Sequence, residues 1–399
     1  MTASDASNVK DRARERLDGE RDALVALSHR IHAHPELAYE EERAATWLAE
    51  YLTGAGFTVE AGICDIPTAF VARAGSGPLR IAICAEYDAL PGIGHACGHN
   101  LIAAMAAGAG VAAAHVADEV GLTVTVIGCP AEEAGNAGGK ILLLERGAFD
   151  DAHAAMMVHP APVDIARPKM IAATMFEARY TGKEAHAAAF PELGINAADA
   201  LTIAQTAIGL LRQSIRPTDR IHGIITHGGD APNVIPAHTV ASYIVRSETL
   251  DELRELMPRV VRCFEAGALA TGAQLEITGG DKPYAQVRHH AELAASYERN
   301  AIALGRSFLD APSSASTDMG NVSLAIPSIH PAIGVNSLPA VNHQPEFAAA
   351  CVTADADQAL YDGAIAMAWT AIDLALNEPL RDQLIATRAQ IPIHARRPL

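Results

Sequence analysis

Between a continuous apolar run at 79–84 and a long Ala-rich run at 101–116 the chain carries Glu86-Tyr-Asp-Ala-Leu-Pro-Gly-Ile-Gly-His-Ala-Cys-Gly-His-Asn100. The first run has the length of a buried strand and the second that of a buried helix. The same hand-over recurs. Residues 122–129 form another apolar run, stopped by Pro130, that delivers Ala131-Glu132-Glu133-Ala134-Gly135, and 154–158 ends at His159-Pro160. Strand alternating with helix predicts an α/β sheet with helices on both faces. In such sheets functional groups gather in the crevice beyond the carboxyl ends of the strands. Asp88, Cys97, Glu132, Glu133 and His159 all follow strand-like runs, and that shared placement outweighs any one of them.

Upstream, helical periodicity runs from about 12 to 34, with Leu24, Leu27 and Ile31 on one side, until His34-Pro35 breaks it. A second helix spans 41–54, closed by Gly54 and Gly56, and strand-like runs follow at 57–61 and 69–74. Residues 140–147 read as helical. The pattern then changes. A strand at 174–180 precedes an amphipathic helix at 196–212, and strands at 220–226 and 239–247 are joined by the loop 227–238. A helix at 250–272 has Leu253, Leu256, Val260 and Phe264 at core spacing, and a strand at 274–279 closes the set. This β-α-β-β-α-β order describes a ferredoxin-like module. The expected organisation is therefore a catalytic domain formed by 1–173 and 284–399, interrupted by a module at 174–283. The last part reads as a helix at 291–304, a glycine- and serine-rich loop, a helix at 355–377 and a polar tail.

Two domains suit 399 residues of which 50% are hydrophobic. Lys and Arg number 30 against 47 Asp and Glu, a net charge of −17. A nucleic-acid surface needs the opposite balance, and there is no basic stripe. Cys64, Cys84, Cys97, Cys129, Cys263 and Cys351 are scattered, without a CxxC pair, as in a reduced cytosolic protein. Residues 1–20 are polar and lack an apolar signal core. The longest apolar run, around His115, falls short of a membrane span. A soluble cytoplasmic protein without membrane or nucleic-acid partners is expected.

Cys97 and His99 combine soft sulfur with imidazole, which suits zinc and its first-row neighbours. Glu132-Glu133 follows a buried strand. In extended backbone neighbouring side chains point opposite ways, so one carboxylate can bind a metal while the other faces a bound water. The plain alternative is a solvated acidic turn. By themselves His159 and His343 read as hydrogen-bonded structural histidines. A competing chemistry makes Cys97 a nucleophile with His99 as its base. No Gly-x-Ser-x-Gly elbow is present.

Together the motifs His34-Pro-Glu-Leu-Ala, Ala85-Glu-Tyr-Asp-Ala-Leu-Pro, Gly94-His-Ala-Cys-Gly-His-Asn, Pro130-Ala-Glu-Glu-Ala-Gly and Val158-His-Pro resemble the M20 family of metallopeptidases and amidohydrolases. Gly182-Lys-Glu-Ala-His-Ala, Asn233-Val-Ile-Pro, Arg246 and Ser316-Thr-Asp-Met-Gly extend the likeness along nearly the whole chain. The resemblance implies a zinc-peptidase-like α/β catalytic domain and an inserted lid that also dimerises. It implies two divalent ions, zinc or manganese, with Cys97, His99, Glu133, His159 and His343 as ligands. Cys97 stands where many relatives carry a bridging aspartate. Glu86-Tyr-Asp88 stands where those relatives have His-x-Asp, so a usual histidine ligand is missing, and His99 compensates as in the cysteine-containing branch. Glu132 would be the general base and Asp88 would orient a ligand. Asn233 and Arg246 would hold a substrate carboxylate, and His186 would reach the partner subunit's site to donate to the oxyanion. The implied reaction is hydrolysis of an amide in a dipeptide, an N-acyl amino acid or a p-aminobenzoyl-glutamate-like conjugate. A metal-loaded binding protein without turnover and a mononuclear amidase are the alternatives.

Overall fold

The computed structural model describes residues 3–310 and 315–390. The chain divides into two compact units. One contains the residues up to Ala134, Gly138–Met170 and those from Val287 on; the other contains Gly135–Ala137 and Ile171–Gln286. The sequence put the insertion at 174–283; the second compact unit runs over Ile171–Gln286 and includes Gly135–Ala137.

The first unit opens with α1 (Ala3–Asp18) and α2 (Arg21–His32) rather than with one helix from 12 to 34. Gly19 and Glu20 break the run, and their backbone N–H groups fold back on Glu15 and Leu17. Leu24, Leu27 and Ile31 are buried as their spacing requires. Next come α3 (Glu42–Gly54), β1 (Thr58–Ala61), β2 (Phe70–Ala74) and β3 (Leu79–Glu86). They are followed by α4 (His99–Ala114), α5 (Ala117–Val120), β4 (Leu122–Cys129), α6 (Gly139–Glu145), β5 (Ala154–Met156) and β6 (His159–Ala161).

The second unit runs β7 (Ala172–Thr181), α7 (Ala197–Leu211), β8 (Arg220–His227), β9 (His238–Ser247), α8 (Leu250–Thr271) and β10 (Gln274–Gly279). Its sheet order is β10-β7-β9-β8, with every neighbour antiparallel, as a ferredoxin-like module requires. Alternate β7 and β9 residues are buried, so one face of the sheet packs on the helices. Asn196 caps α7, and Thr249 with Glu252 forms a capping box on α8. The core centres on Phe264, whose ring meets Tyr243 and Phe176 edge-on at 5.1 and 5.6 Å.

The first unit then resumes with α9 (Ala291–Ala303), α10 (Met319–Ala325), β11 (Ser328–Ile329), β12 (Ala332–Gly334), α11 (Pro345–Ala350), α12 (Ala354–Leu376) and α13 (Glu378–Gln390). The stretch expected as loop between α9 and α12 thus contains two helices and two short strands. Part of the expected polar tail is helix α13; its final residues lie outside the described ones. The sheet order is β1-β2-β4-β3-β5-β11; β4, β3, β5 and β11 are parallel, and β2 and β1 are antiparallel additions at one edge. Helix α4 lies against the sheet and α12 covers it, every residue from His99 to Ala113 being buried. Its Ala and Gly content permits that: a Cβ on Gly110 would come within 2.5 Å of Val126 on β4. Helix α12 is long and apolar enough to cross a membrane, a feature the run-based reading overlooked, but 89% of its most apolar window is buried inside the fold.

Truncating Phe264 to Ala should destabilise the inserted unit by about 3–5 kcal/mol, the usual cost of removing a buried aromatic. A midpoint for that unit unchanged in urea unfolding would contradict this packing.

Candidate metal centre

Three adjacent parallel strands, β4, β3 and β5, end side by side, and each hands its following loop to the same place. β3 ends in Glu86 and leads to Asp88. β4 leads to Glu132 and Glu133, and β5 leads to His159. Cys97 and His99 come from the start of α4, on either side of Gly98. That glycine caps the helix with φ +81°, and a Cβ on it would lie 2.4 Å from Pro160 Cγ. Only a residue without a side chain lets Cys97 and His99 approach the β5 loop this closely.

Five sequence candidates meet here. Cys97 Sγ lies 3.4 Å from His159 Nε2. Glu133 Oε1 lies 3.4 Å from His343 Nε2 and 4.0 Å from His99 Nε2. The same donor atoms fall into the clusters Cys97–His99–His159 and Cys97–Glu133–His343, with all atoms of each cluster within 4.8 Å of one another. His343 carries a positive φ of 68°, and its N–H donates to the Ala96 carbonyl, so backbone strain is held where the side chain joins the cluster. Glu132 is beside them, with its carboxylate 3.9 Å from His99 Nε2.

The extended backbone expected at Glu132-Glu133 is absent. Glu132–Ala134 is a 3-10 turn, not extended backbone. The two carboxylates therefore do not point opposite ways, and both approach His99. They are separated by environment instead. Burial, then the charges of Glu86 and Glu133, push the Glu132 carboxyl well above its ordinary range. Glu133 is mostly buried too, yet His343 and His99 beside it bring its carboxyl below the usual value. A carboxylate pair whose environments pull their proton affinities apart is a natural division between a proton acceptor and a permanent anion.

The histidines are oriented for binding. His159 Nδ1 donates to the Pro160 carbonyl at 2.8 Å, which leaves its Nε2 lone pair facing Cys97. His99 Nδ1 sits 2.8 Å from Asp88 Oδ1, and the other Asp88 oxygen accepts the Glu133 N–H at 2.9 Å. One carboxylate thereby fixes both a ring and the turn that carries Glu133. His99 Nε2 and Glu133 Oε1 are buried without a hydrogen-bond partner. Burial, then Glu133, raises the Cys97 thiol, whereas burial lowers His159 to about 4 and keeps it neutral. His99 goes the other way: despite its burial, Asp88 and then Cys97 hold it well above its ordinary value. A neutral His159, a thiol and crowded acids fit a cation, which would take the place of the His99 proton and lower the thiol's pKa.

Several residues that shape this site escaped the sequence reading. Buried Glu41 accepts the Ala131 N–H at 2.8 Å and the Tyr39 N–H at 2.9 Å. Ala131 has a positive φ of 58°, and Glu41 thus pins the strained residue that aims Glu132. Glu41 is itself pushed up to about 7 by burial and by Asp88. Lys140, on α6, pairs with both Glu86 and Asp318, all three fully buried. His330 stacks on His159 with ring centroids 5.5 Å apart. A lone lysine in the apolar run of α6 was the available signal for a buried ion pair; the others had none.

His186, Asn233 and Arg246 belong to the inserted unit. His186 and Asn233 are neighbours there: the Ala187 N–H donates to the Asn233 carbonyl, and His186 bridges Val234. His186 Nδ1 accepts from the Ala188 and Ala189 N–H groups at 3.2 and 3.1 Å, so its neutral form carries the proton on Nε2. Arg246 lies on β9, paired in register with Ala173 of β7 and Arg220 of β8.

Comparison with known proteins identifies the family. Residues 172–271 match the peptidase dimerisation domain of the M20 family. The chain is 39% identical over 399 residues to the mouse Xaa-Arg dipeptidase, covering 95% of this chain and 92% of that one. It is 34% identical over 281 residues to one of the subunits of p-aminobenzoyl-glutamate hydrolase from Escherichia coli, covering 65% of this chain and 58% of that one. Among solved structures, a Bacillus subtilis dinuclear metal binding peptidase from the M20 family superposes with a TM-score of 0.68 at 22% identity, over 90% of this chain and 99% of that one. That last likeness concerns the fold alone. The chain belongs to the M20 family of metallopeptidases and amidohydrolases, metal-dependent hydrolases of amide bonds.

Proposed function

We propose that this enzyme hydrolyses the amide bond of a small substrate bearing a free carboxylate, a dipeptide foremost, at two divalent ions, zinc or manganese, held by Cys97, His99, Glu133, His159 and His343. The observation that carries the reading is the meeting of these five donors beside a second, buried carboxylate, Glu132, 3.9 Å from His99 Nε2. The mouse relative's name makes dipeptides ending in arginine the first substrates to try. N-acyl amino acids and aryl-amide conjugates of glutamate come next.

Bound ions supply a polarised carbonyl and a water acidified toward a pKa of roughly 7. The protein's own residues do the rest. Glu132 takes a proton from the attacking water and returns it to the leaving amine. Glu41 and Asp88 hold the N–H groups of Ala131 and Glu133, and so fix where Glu132 points. In the inserted module His186 donates from Nε2 to the developing oxyanion in the partner subunit's site. Asn233 and the Arg246 guanidinium receive the substrate carboxylate, the latter through paired hydrogen bonds. This assembly is a homodimer joined through the inserted module, a reading supported by the dimerisation-domain match. A reducing cytoplasm suits a working thiolate; none of the six cysteines, all among the described residues, is disulfide-bonded.

Glu132→Ala should keep its metal and lose turnover by about a hundred- to ten-thousandfold, the worth of positioned acid–base help. A hydrolysis screen with added Mn²⁺ or Zn²⁺, run with metal analysis, checks it; near-normal turnover in the variant would refute the role. Arg246→Lys should raise KM for substrates with a free carboxylate far more than for neutral amides, and equal effects on both would remove the clamp. Glu41→Ala should lower kcat by roughly ten- to a hundredfold at similar KM and metal content, since small misplacements of a reacting group cost that much. Glu41→Gln, which keeps an acceptor for the Ala131 N–H, should restore most of it.

A further inference from the structure

We infer that Glu86 is a sixth donor of the metal centre, sharing one ion with His99. The inference rests on the two-ion reading above and extends its ligand set. Two donors on one tetrahedral ion, with bonds of about 2.0–2.3 Å, lie about 3.3–3.6 Å apart. Three donor pairs in this cluster have such a spacing. Cys97 Sγ and His159 Nε2 are 3.4 Å apart, Glu133 Oε1 and His343 Nε2 are 3.4 Å apart, and Glu86 Oε2 and His99 Nε2 are 3.5 Å apart. Glu86 lies at this spacing from His99, whose other close neighbour in the five-ligand set is Cys97. Glu86, His99 and Glu132 also form a cluster whose donor atoms all lie within 4.8 Å of one another.

The surroundings show how the carboxylate is held for this purpose. Glu86 Oε1 faces the Lys140 ammonium, which leaves Oε2 toward His99. Lys140 is also claimed by Asp318, through its ammonium and through its backbone N–H at 2.9 Å. One buried lysine therefore serves two buried carboxylates, and the triad keeps a net negative charge. A buried charge left uncompensated is costly, and a cation at Oε2 completes the balance. Glu86 Oε2 and His99 Nε2, 3.5 Å apart, make no hydrogen bond with each other, and His99 Nδ1 is engaged by Asp88. Lys140 then acts as the outer partner that orients a ligating carboxylate.

The deciding experiment is a crystal structure of the wild-type protein loaded with Zn²⁺, with the ions located by anomalous scattering. The expected result is an ion bonded to both His99 Nε2 and Glu86 Oε2 at about 2.0–2.2 Å. Ions held by the other five residues with Glu86 more than about 3 Å from either, well beyond a bond, would overturn the inference and leave the two-ion reading standing. A protein that takes up no zinc at Cys97 and His159 would overturn both. In solution, chelator competition should show two zinc equivalents on the wild type. In Glu86→Gln one equivalent should weaken by about tenfold to a hundredfold or more, the loss that even outer-shell changes produce, with the other retained. Two unweakened equivalents in that variant would count against Glu86. Should the variant fail to fold, the wild-type crystal structure decides alone.

Discussion

Four carboxyl groups crowded beyond one end of a parallel sheet are the constraint around which this molecule is arranged. Glu86, Asp88, Glu132 and Glu133 all project from the ends of β3 and β4, and three of them are buried. Lys140 is shared between Glu86 and Asp318 and cannot balance such a crowd by itself. Bringing carboxylates together out of water costs several kcal/mol each unless cations join them. The donor atoms of Cys97, His99, Glu133, His159 and His343 gather where this crowding is greatest, as a metal-dependent hydrolase requires.

The rest of the first unit makes that convergence rigid. Small residues along α4 let it press onto the sheet, which fixes the helix start and with it Cys97 and His99. The Glu132-Glu133 turn is held at alternate backbone N–H groups by Glu41 and Asp88. A site built this way spends carboxylates on positioning as well as on binding. It explains why residues distant in sequence, from α3, β3, β4 and β5, act on the same few atoms.

The inserted module is built by different rules. Its antiparallel sheet alternates buried and exposed residues, and its aromatic core of Phe176, Tyr243 and Phe264 is independent of the metal centre. His186 takes its tautomer from two backbone N–H groups and not from a carboxylate as His99 does. The two units thus orient these histidines by different means, one through backbone N–H groups and the other through a buried carboxylate.

The sequence by itself determined the strand-and-helix order, the inserted ferredoxin-like pattern and the placement of Cys97, His99, Glu132, Glu133 and His159, because hydrophobic period and chain breaks are local properties. It misjudged the helix break at Gly19, the elements between α9 and α12, and the directions of Glu132 and Glu133, where a single extra turn of backbone reverses the inference. Only the tertiary structure decided what Glu41, Lys140, Asp318 and His330 do. Asp318 stood inside a quoted motif without a role, the others in stretches whose letters suit an ordinary solvated charge or core residue, and each acquires meaning from the group facing it across the fold. A buried lysine is defined by its carboxylates and an orienting glutamate by the N–H it accepts, and no short window of sequence contains both partners.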